Sequence, residues 1–157
     1  MEEMLLPHPR LEIGNTLEKY MQIDGITVLT NSKVDKITGQ WVLVNGQNID
    51  VEKIIVCVGR KPNISSGELK KLGIEFNNKG ININKKMLTN ISNIYAIGDI
   101  TGKYELAHVA SKQGEVAAHN IMQHNSEMDY SAIPFCVFTF PEVSFVGDCS
   151  GKSGEFP

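Results

Sequence analysis

Long apolar runs are missing from this 157-residue chain. No stretch of about 18 uninterrupted apolar residues occurs, so no membrane-spanning helix is predicted. The opening residues MEEMLLPHP have neither the basic start nor the apolar centre of a secretory leader, which points to a cytoplasmic protein. Cysteine is scarce. The three cysteines, Cys57, Cys136 and Cys149, form no C-x-x-C pair, so their spacing offers neither a zinc site nor a redox dithiol. Basic clusters are also scarce. Arg60-Lys61, Lys70-Lys71 and Lys85-Lys86 are the only basic doublets, and the net charge is −3. Phosphate contacts need a basic face, which excludes nucleic acid as the main partner. There is no repeat and no low-complexity tract.

What remains is an ordinary globular composition, 41% apolar and 21% charged, in a chain long enough to bury a core. Leu11 to Gln22 reads as a helix, with Ile13, Leu17 and Tyr20 at helical spacing and Gly25 as a stop. Strands are predicted at Ile26–Asn31 and Val34–Ile37. Trp41–Val44, the turn Asn45-Gly46 and a return strand form a predicted hairpin, because both central positions of that turn favour positive φ. The run IIVCV, Ile54 to Val58, reads as a strand covered on both faces, as in a parallel sheet. Gly59 to Asn63 must be a loop. Ser65 or Ser66 can cap a brief helix holding Leu69 and Leu72, with Gly73 ending it. Short strands are predicted at Gly80–Ile83 and Asn93–Ile97.

A further helix is predicted from about Leu106 to Met122, with a small-residue stripe of Ala110, Gly114, Ala117 and Ile121. Ile133 to Phe140 is β-prone, Pro141 interrupts it, and Glu142 to Val146 resumes it. The tail DCSGKSGEFP is expected to be loose. Cys57 and Cys136 are expected in the core, where free cysteine is usually found. The element pattern supports an α/β class.

One carboxylate stands out. Asp99 follows an apolar strand and Gly98, and precedes a helix start by a few residues. In open α/β sheets, ligands bind outside the carboxyl ends of strands. Val58-Gly59-Arg60 and Gly98-Asp99 both end such strands. Asp99 is suited to accept hydrogen bonds from the hydroxyls of a sugar or ribityl chain. Leu106, Ala107 and His108 would present free backbone N–H groups at the positive end of a helix, which favours an anionic or electron-rich ligand atom. Spacing alone equally allows Asp99 to be a turn or capping residue. His119 and His124 are five residues apart and do not share a helix face, so they read as solvated residues and no metal ligand set is predicted.

Three ordered motifs add more: VCVGRKPN at 56–63, NIYAIGDITGKYELAHVASKQGEVAAHNI at 93–121, and IPFCVFTFPEVSFVG at 133–147. With Leu5-Leu6-Pro7, Leu17-Glu18 and GITVLTNSKV at 25–34, the chain resembles the FAD-dependent pyridine nucleotide-disulfide oxidoreductases, within them the dihydrolipoamide dehydrogenase branch. The triplet Leu106-Ala107-His108 favours that branch over reductases of glutathione, mercuric ion or coenzyme A disulfide.

The resemblance implies partial FAD/NAD(P)-binding Rossmann-like domains, a parallel sheet plus an antiparallel hairpin, followed by the start of an α+β dimerisation domain. Residues 1–58 would be the C-terminal half of the NAD-binding domain. Residues 59–130 would be a returning segment of the FAD-binding domain, and residues 131–157 the start of the dimerisation domain. By the same resemblance Gly98 and Asp99 meet the ribityl chain of FAD, and Glu105, Leu106, Ala107 and His108 lie at the flavin ring. Val34, Cys57, Val58, Gly59 and Arg60 fall on the NAD side. Glu105 stands where the family usually has an apolar residue.

The family's glycine fingerprints for FAD and NAD, its C-x-x-x-x-C disulfide and its late His-x-x-x-x-Glu pair do not occur in this sequence. No catalytic residue is therefore assigned, and the chain by itself is expected to be inactive. The implied parent activity is electron transfer between dihydrolipoyl groups and NAD, in service of a lipoyl-bearing 2-oxo acid dehydrogenase complex. A non-catalytic dimerisation or binding module is the alternative. Unpaired strand edges predict a homodimer or other self-association.

Overall fold

A computed structural model describes residues 2–6 and 11–147. The tail expected to be loose, with Cys149, lies outside the described residues. Two compact units are present, one made of Met1–Cys57 with Ser131–Pro157, the other of Val58–Tyr130.

In the first unit, α1 spans Leu11–Ile23. Its apolar spacing buries Leu17 almost completely. β1 (Val34–Ile37), β2 (Trp41–Val44) and β3 (Gln47–Asp50) form an antiparallel meander in the order β1-β2-β3. The β2–β3 turn is set by Asn45 at φ 49° and Gly46 at φ 80°, the left-handed pair that matches the twist of a two-residue hairpin. Val44 opposes Gln47 and Trp41 opposes Asp50. The Asn45 side chain braces the turn by accepting the Lys33 N–H at 2.9 Å. A second hairpin pairs β4 (Pro134–Val137) with β5 (Val143–Val146), and Phe135 stacks on Phe145 at 4.9 Å between centroids.

The second unit holds the larger core. Ile74, Ile81 and Ala96 are buried together, with Leu69, Phe76, Ile94 and Ile100 packed against them. α2 (Ser66–Lys71) starts after Ser65 and ends before Gly73 at φ 70°. The Ser65 side chain makes no capping hydrogen bond. α3 spans Ala107–Ile121. Asn120 ties its last turn to the chain on either side by donating to the Lys86 and Ser126 carbonyls.

Several expectations are corrected. Every ladder among the described strands is antiparallel. The run expected to lie in a parallel sheet, Ile54–Val58, and the run expected as a strand, Ile26–Asn31, belong to no strand among the described residues. A strand exists only by pairing, and neither run has a ladder partner among the described residues. Val58 is accordingly 91% exposed and Ile55 87%. Cys57 is exposed for the same reason, and Cys136 because it lies on the outward side of β4, whose exposure alternates with period two.

Gly80–Ile83 and Asn93–Ile97 shrink to single bridges, Phe76–Ile81 and Leu88–Tyr95. Asn93 at φ 66° turns the chain just where the second strand was to begin. The buried face of α3 is Val109, Gln113, Val116 and Ala117. Ala110 and Gly114 are only half-buried, and Ile121 is 62% exposed. The helix therefore sits about one position round from the small-residue stripe.

Gly102 closes the turn before α3 at φ 61°. A Cβ there would run into the Lys79 carbonyl. Gly102→Ala is expected to cost at least about 2 kcal/mol, from the left-handed strain and the backbone clash together. Thermal unfolding followed by circular dichroism checks this; an unchanged Tm would rule the close approach out.

Candidate functional site

Backbone geometry places Asp99 first. Ile97 is extended, Gly98 turns left-handed at φ 74°, and Gly98–Thr101 coil into one 3-10 turn. Two buried contacts hold this turn. The Thr101 hydroxyl donates to the Gly98 carbonyl at 2.8 Å, and the Gly98 N–H donates to the Gln113 Oε1 at 2.6 Å. Asp99 is left on the outside, its side chain 56% exposed. It is thus part of a turn, as spacing allowed, with its carboxylate projecting from that turn.

A cavity of about 330 Å³ lies beside it, lined by Arg60, Lys61, Pro62, Asn63, Asp99, Ile100 and Glu105. The loop forced by Gly59 and Pro62 supplies its basic wall. Arg60 Nη2 sits 2.8 Å from Glu105 Oε2, and Arg60 Nη1 sits 3.8 Å from Asp99 Oδ2. The Glu105 carbonyl also accepts from Arg60 at 3.4 Å. One guanidinium thus faces two carboxylates, so the cavity wall carries one uncompensated negative charge among these three groups. The contact to Asp99 is long, which leaves the acceptor capacity of that carboxylate largely unused.

α3 begins beside this loop in sequence. Leu106 is its N-cap, extended and without a side-chain cap, and Ala107 and His108 open the helix. Their N–H groups have no intrahelical acceptor, as at any helix start. The dipole adds partial positive charge there.

Of the residues singled out by sequence, Arg60, Asp99 and Glu105 come together in one cavity. Gly98 supports them, and Leu106, Ala107 and His108 follow directly. The resemblance assigns Arg60 to the NAD side; its guanidinium here meets Asp99 and Glu105. Val58 and Gly59 lead into the same loop. Val34 and Cys57 belong to the other unit. Sequence reasoning missed Thr101, Gln113 and Tyr130. A glutamine within the otherwise apolar set 109, 113, 116 and 117 was the available signal.

The profile of the pyridine nucleotide-disulphide oxidoreductase family matches residues 1–114. The chain belongs to that family. It is 42% identical over 141 residues to the dihydrolipoyl dehydrogenase of Chlamydia pneumoniae, an alignment covering 87% of this chain and 31% of that protein. Among solved structures it resembles LpdA of Mycobacterium tuberculosis, with a TM-score of 0.80 at 25% identity over 88% of this chain and 32% of that one. It also shares the fold of RclA, an HOCl-induced flavoprotein disulfide reductase of Escherichia coli, with a TM-score of 0.83 at 22% identity over 93% of this chain and 35% of that one. The chain therefore spans about a third of the length of the relatives it matches. Among the described residues, no helix is long and apolar enough to cross a membrane.

The contacts of this site differ in energetic weight. Arg60→Ala is expected to change stability by less than about 1 kcal/mol, because exposed ion pairs contribute little. Thr101→Val, of nearly the same shape, leaves the Gly98 carbonyl short of a donor and should cost about 1–3 kcal/mol. Paired urea titrations compare them; a larger loss for Arg60→Ala would reverse this ordering.

Proposed function

We propose that this chain is the cofactor-contacting portion of a dihydrolipoyl dehydrogenase, and that its second unit carries part of an FAD site. The observation that carries this reading is the cavity at Asp99. It combines a projecting carboxylate for hydroxyl groups with a helix start, close by in sequence, that has free N–H groups. The name of the relatives gives the chemistry, dehydrogenation of dihydrolipoyl groups.

Within this reading Gly98 and Asp99 hold the ribityl chain. Glu105, Leu106, Ala107 and His108 lie along the flavin ring, whose negative charge on reduction the α3 dipole would stabilise. Val34, Cys57, Val58, Gly59 and Arg60 lie towards NAD. Residues 1–58 are the later half of an NAD-binding domain, 59–130 a returning FAD segment and 131–157 the opening of a dimerisation domain. The unit boundaries after Cys57 and Tyr130 support setting the middle segment apart, while the stretches on either side of it fall in one unit. FAD itself would supply reversible two-electron transfer, and NAD would accept the hydride. The partner enzymes would be those of a lipoyl-bearing 2-oxo acid dehydrogenase complex.

Titration of the purified chain with FAD, followed by flavin fluorescence, tests the site. Saturable binding is expected, with Asp99→Ala weakening it at least about tenfold, the size of one or two charge-assisted hydrogen bonds. Because Asp99 is exposed, the fold should survive the substitution. Equal affinity in both proteins would remove Asp99 from the site. The same samples should reduce no lipoamide with NADH, since the sequence contains no C-x-x-x-x-C pair.

Self-association follows from the exposed apolar run. Ile55, Val56 and Val58, with Phe138 and Phe140, are each more than 60% exposed, and exposed apolar surface invites association with a second copy. Sedimentation equilibrium should show dimers or larger species at micromolar concentration. A monomer throughout would sink this part of the proposal.

A further inference from the structure

Gln113 is fully buried, with no exposed surface at all, in the middle of α3. A glutamine at such a position costs stability unless both ends of its amide are satisfied. Here both are. Oε1 accepts the Gly98 N–H at 2.6 Å, and Nε2 donates to the Tyr130 hydroxyl at 2.9 Å. No buried side-chain polar atom among the described residues is left without a partner. Tyr130 is itself fixed. Its ring stacks on Tyr104 at 5.5 Å, and its hydroxyl lies 4.0 Å from the sulfur of Met87, which is also fully buried.

This chain of contacts has a direction. It runs from the interior through an amide to the one backbone N–H that precedes Asp99. Its other arm ends on Tyr104, the residue before Glu105. The only donors and acceptors at stake are one backbone N–H, one side-chain amide and one phenol. The phenol stays protonated, since burial pushes the Tyr130 hydroxyl above its usual value, against the opposing effect of the Gln113 hydrogen bond.

We propose that Gln113, oriented by Tyr130, is a positioning residue that sets where the Asp99 turn stands and thereby tunes binding of the flavin polyol. This rests on the reading that Asp99 contacts FAD. Gln113 touches no ligand in it; it acts through the Gly98 N–H. Its effect on affinity should therefore follow the acceptor at position 113 rather than the stability of the fold. Holding a first contact in place through a fixed second layer is what gives a binding group its geometry.

The test uses the full chain in three variants, Gln113→Leu, Gln113→Glu and Tyr130→Phe. Two readouts are taken: the Gly98 amide resonance with its hydrogen exchange, and FAD affinity. In the wild type the Gly98 amide should be downfield and protected. Gln113→Leu should move it upfield, speed its exchange at least about tenfold, and weaken FAD about tenfold, the scale of one lost buried hydrogen bond. Gln113→Glu keeps an acceptor and should return both values to within about threefold of wild type. Tyr130→Phe, which removes only the hydroxyl, should fall between them.

Wild-type FAD affinity in folded Gln113→Leu, alongside a weakened Asp99→Ala, overturns the positioning role while leaving the cofactor site intact. If the wild type itself binds no FAD, the cofactor reading fails, and with it the flavin-tuning part of this proposal. The Gly98 resonance then decides the rest: unmoved in Gln113→Leu, it overturns the claim about the turn. Should Gln113→Leu not fold, Gln113→Glu and Tyr130→Phe carry the decision, and loss of FAD binding in Gln113→Glu with its fold intact counts against the proposal.

Discussion

The bond on which the candidate site depends is the 2.6 Å contact from the Gly98 N–H to the Gln113 side chain. It is a buried bond between a backbone donor and a side-chain acceptor, and such a donor left alone in the interior is costly. The Thr101 hydroxyl caps the carbonyl of the same glycine. Gly102 lets the Lys79 carbonyl press against the far end of the turn. Four consecutive residues are thus held from both ends and from beneath. Asp99 gains a fixed position without being buried.

The two units contrast in how their apolar residues are used. In Val58–Tyr130, isoleucines at 74 and 81 close a core around Ala96, and α3 adds Val109, Val116 and Ala117 to the buried set. In the other unit, only Leu17 among the described hydrophobic residues is deeply buried. A three-stranded meander and a separate hairpin provide edges and half-covered faces, and small sheets of that kind need a further layer to close a core. Ile54 to Val58 has the composition of a strand covered on both faces. Among the described residues it has no ladder partner, and Ile55 and Val58 are largely exposed.

That contrast explains what could be read from the residues alone. Elements whose partners are close in sequence were legible. The hairpin at Asn45-Gly46, the helices Leu11–Ile23 and Ala107–Ile121, and the pair around Pro141 all depend on local periodicity and turn chemistry. Ile26–Asn31 and Ile54–Val58 were read as strands because their composition suits one, but composition says nothing about where a partner lies. The exposure of Cys57 follows from the same error, and that of Cys136 from the alternation along β4. In the site, the chemistry of Asp99 and the helix start was visible. Its pairing with Arg60 was not, since 39 residues separate them and no pattern links the two. Gln113 was hidden by being judged as one helix position among others.

Rigidity and charge are divided between different groups at this site. The backbone of the Gly98–Thr101 turn is fixed by buried hydrogen bonds, which are expensive to break. The charges of Arg60, Asp99 and Glu105 lie towards water, where an ion pair contributes on the order of 1 kcal/mol or less. A ligand entering the cavity can therefore take Arg60 from Glu105 at small cost, while the turn that aims Asp99 stays put. The reverse arrangement would serve binding poorly. A buried ion pair would resist exchange, because separating it strands a charge in low dielectric. A loosely held turn would have to be ordered at the moment of binding, and that ordering would be subtracted from the affinity. The interior amide of Gln113 and the surface guanidinium of Arg60 are thus complementary, one holding the geometry and the other free to change partners.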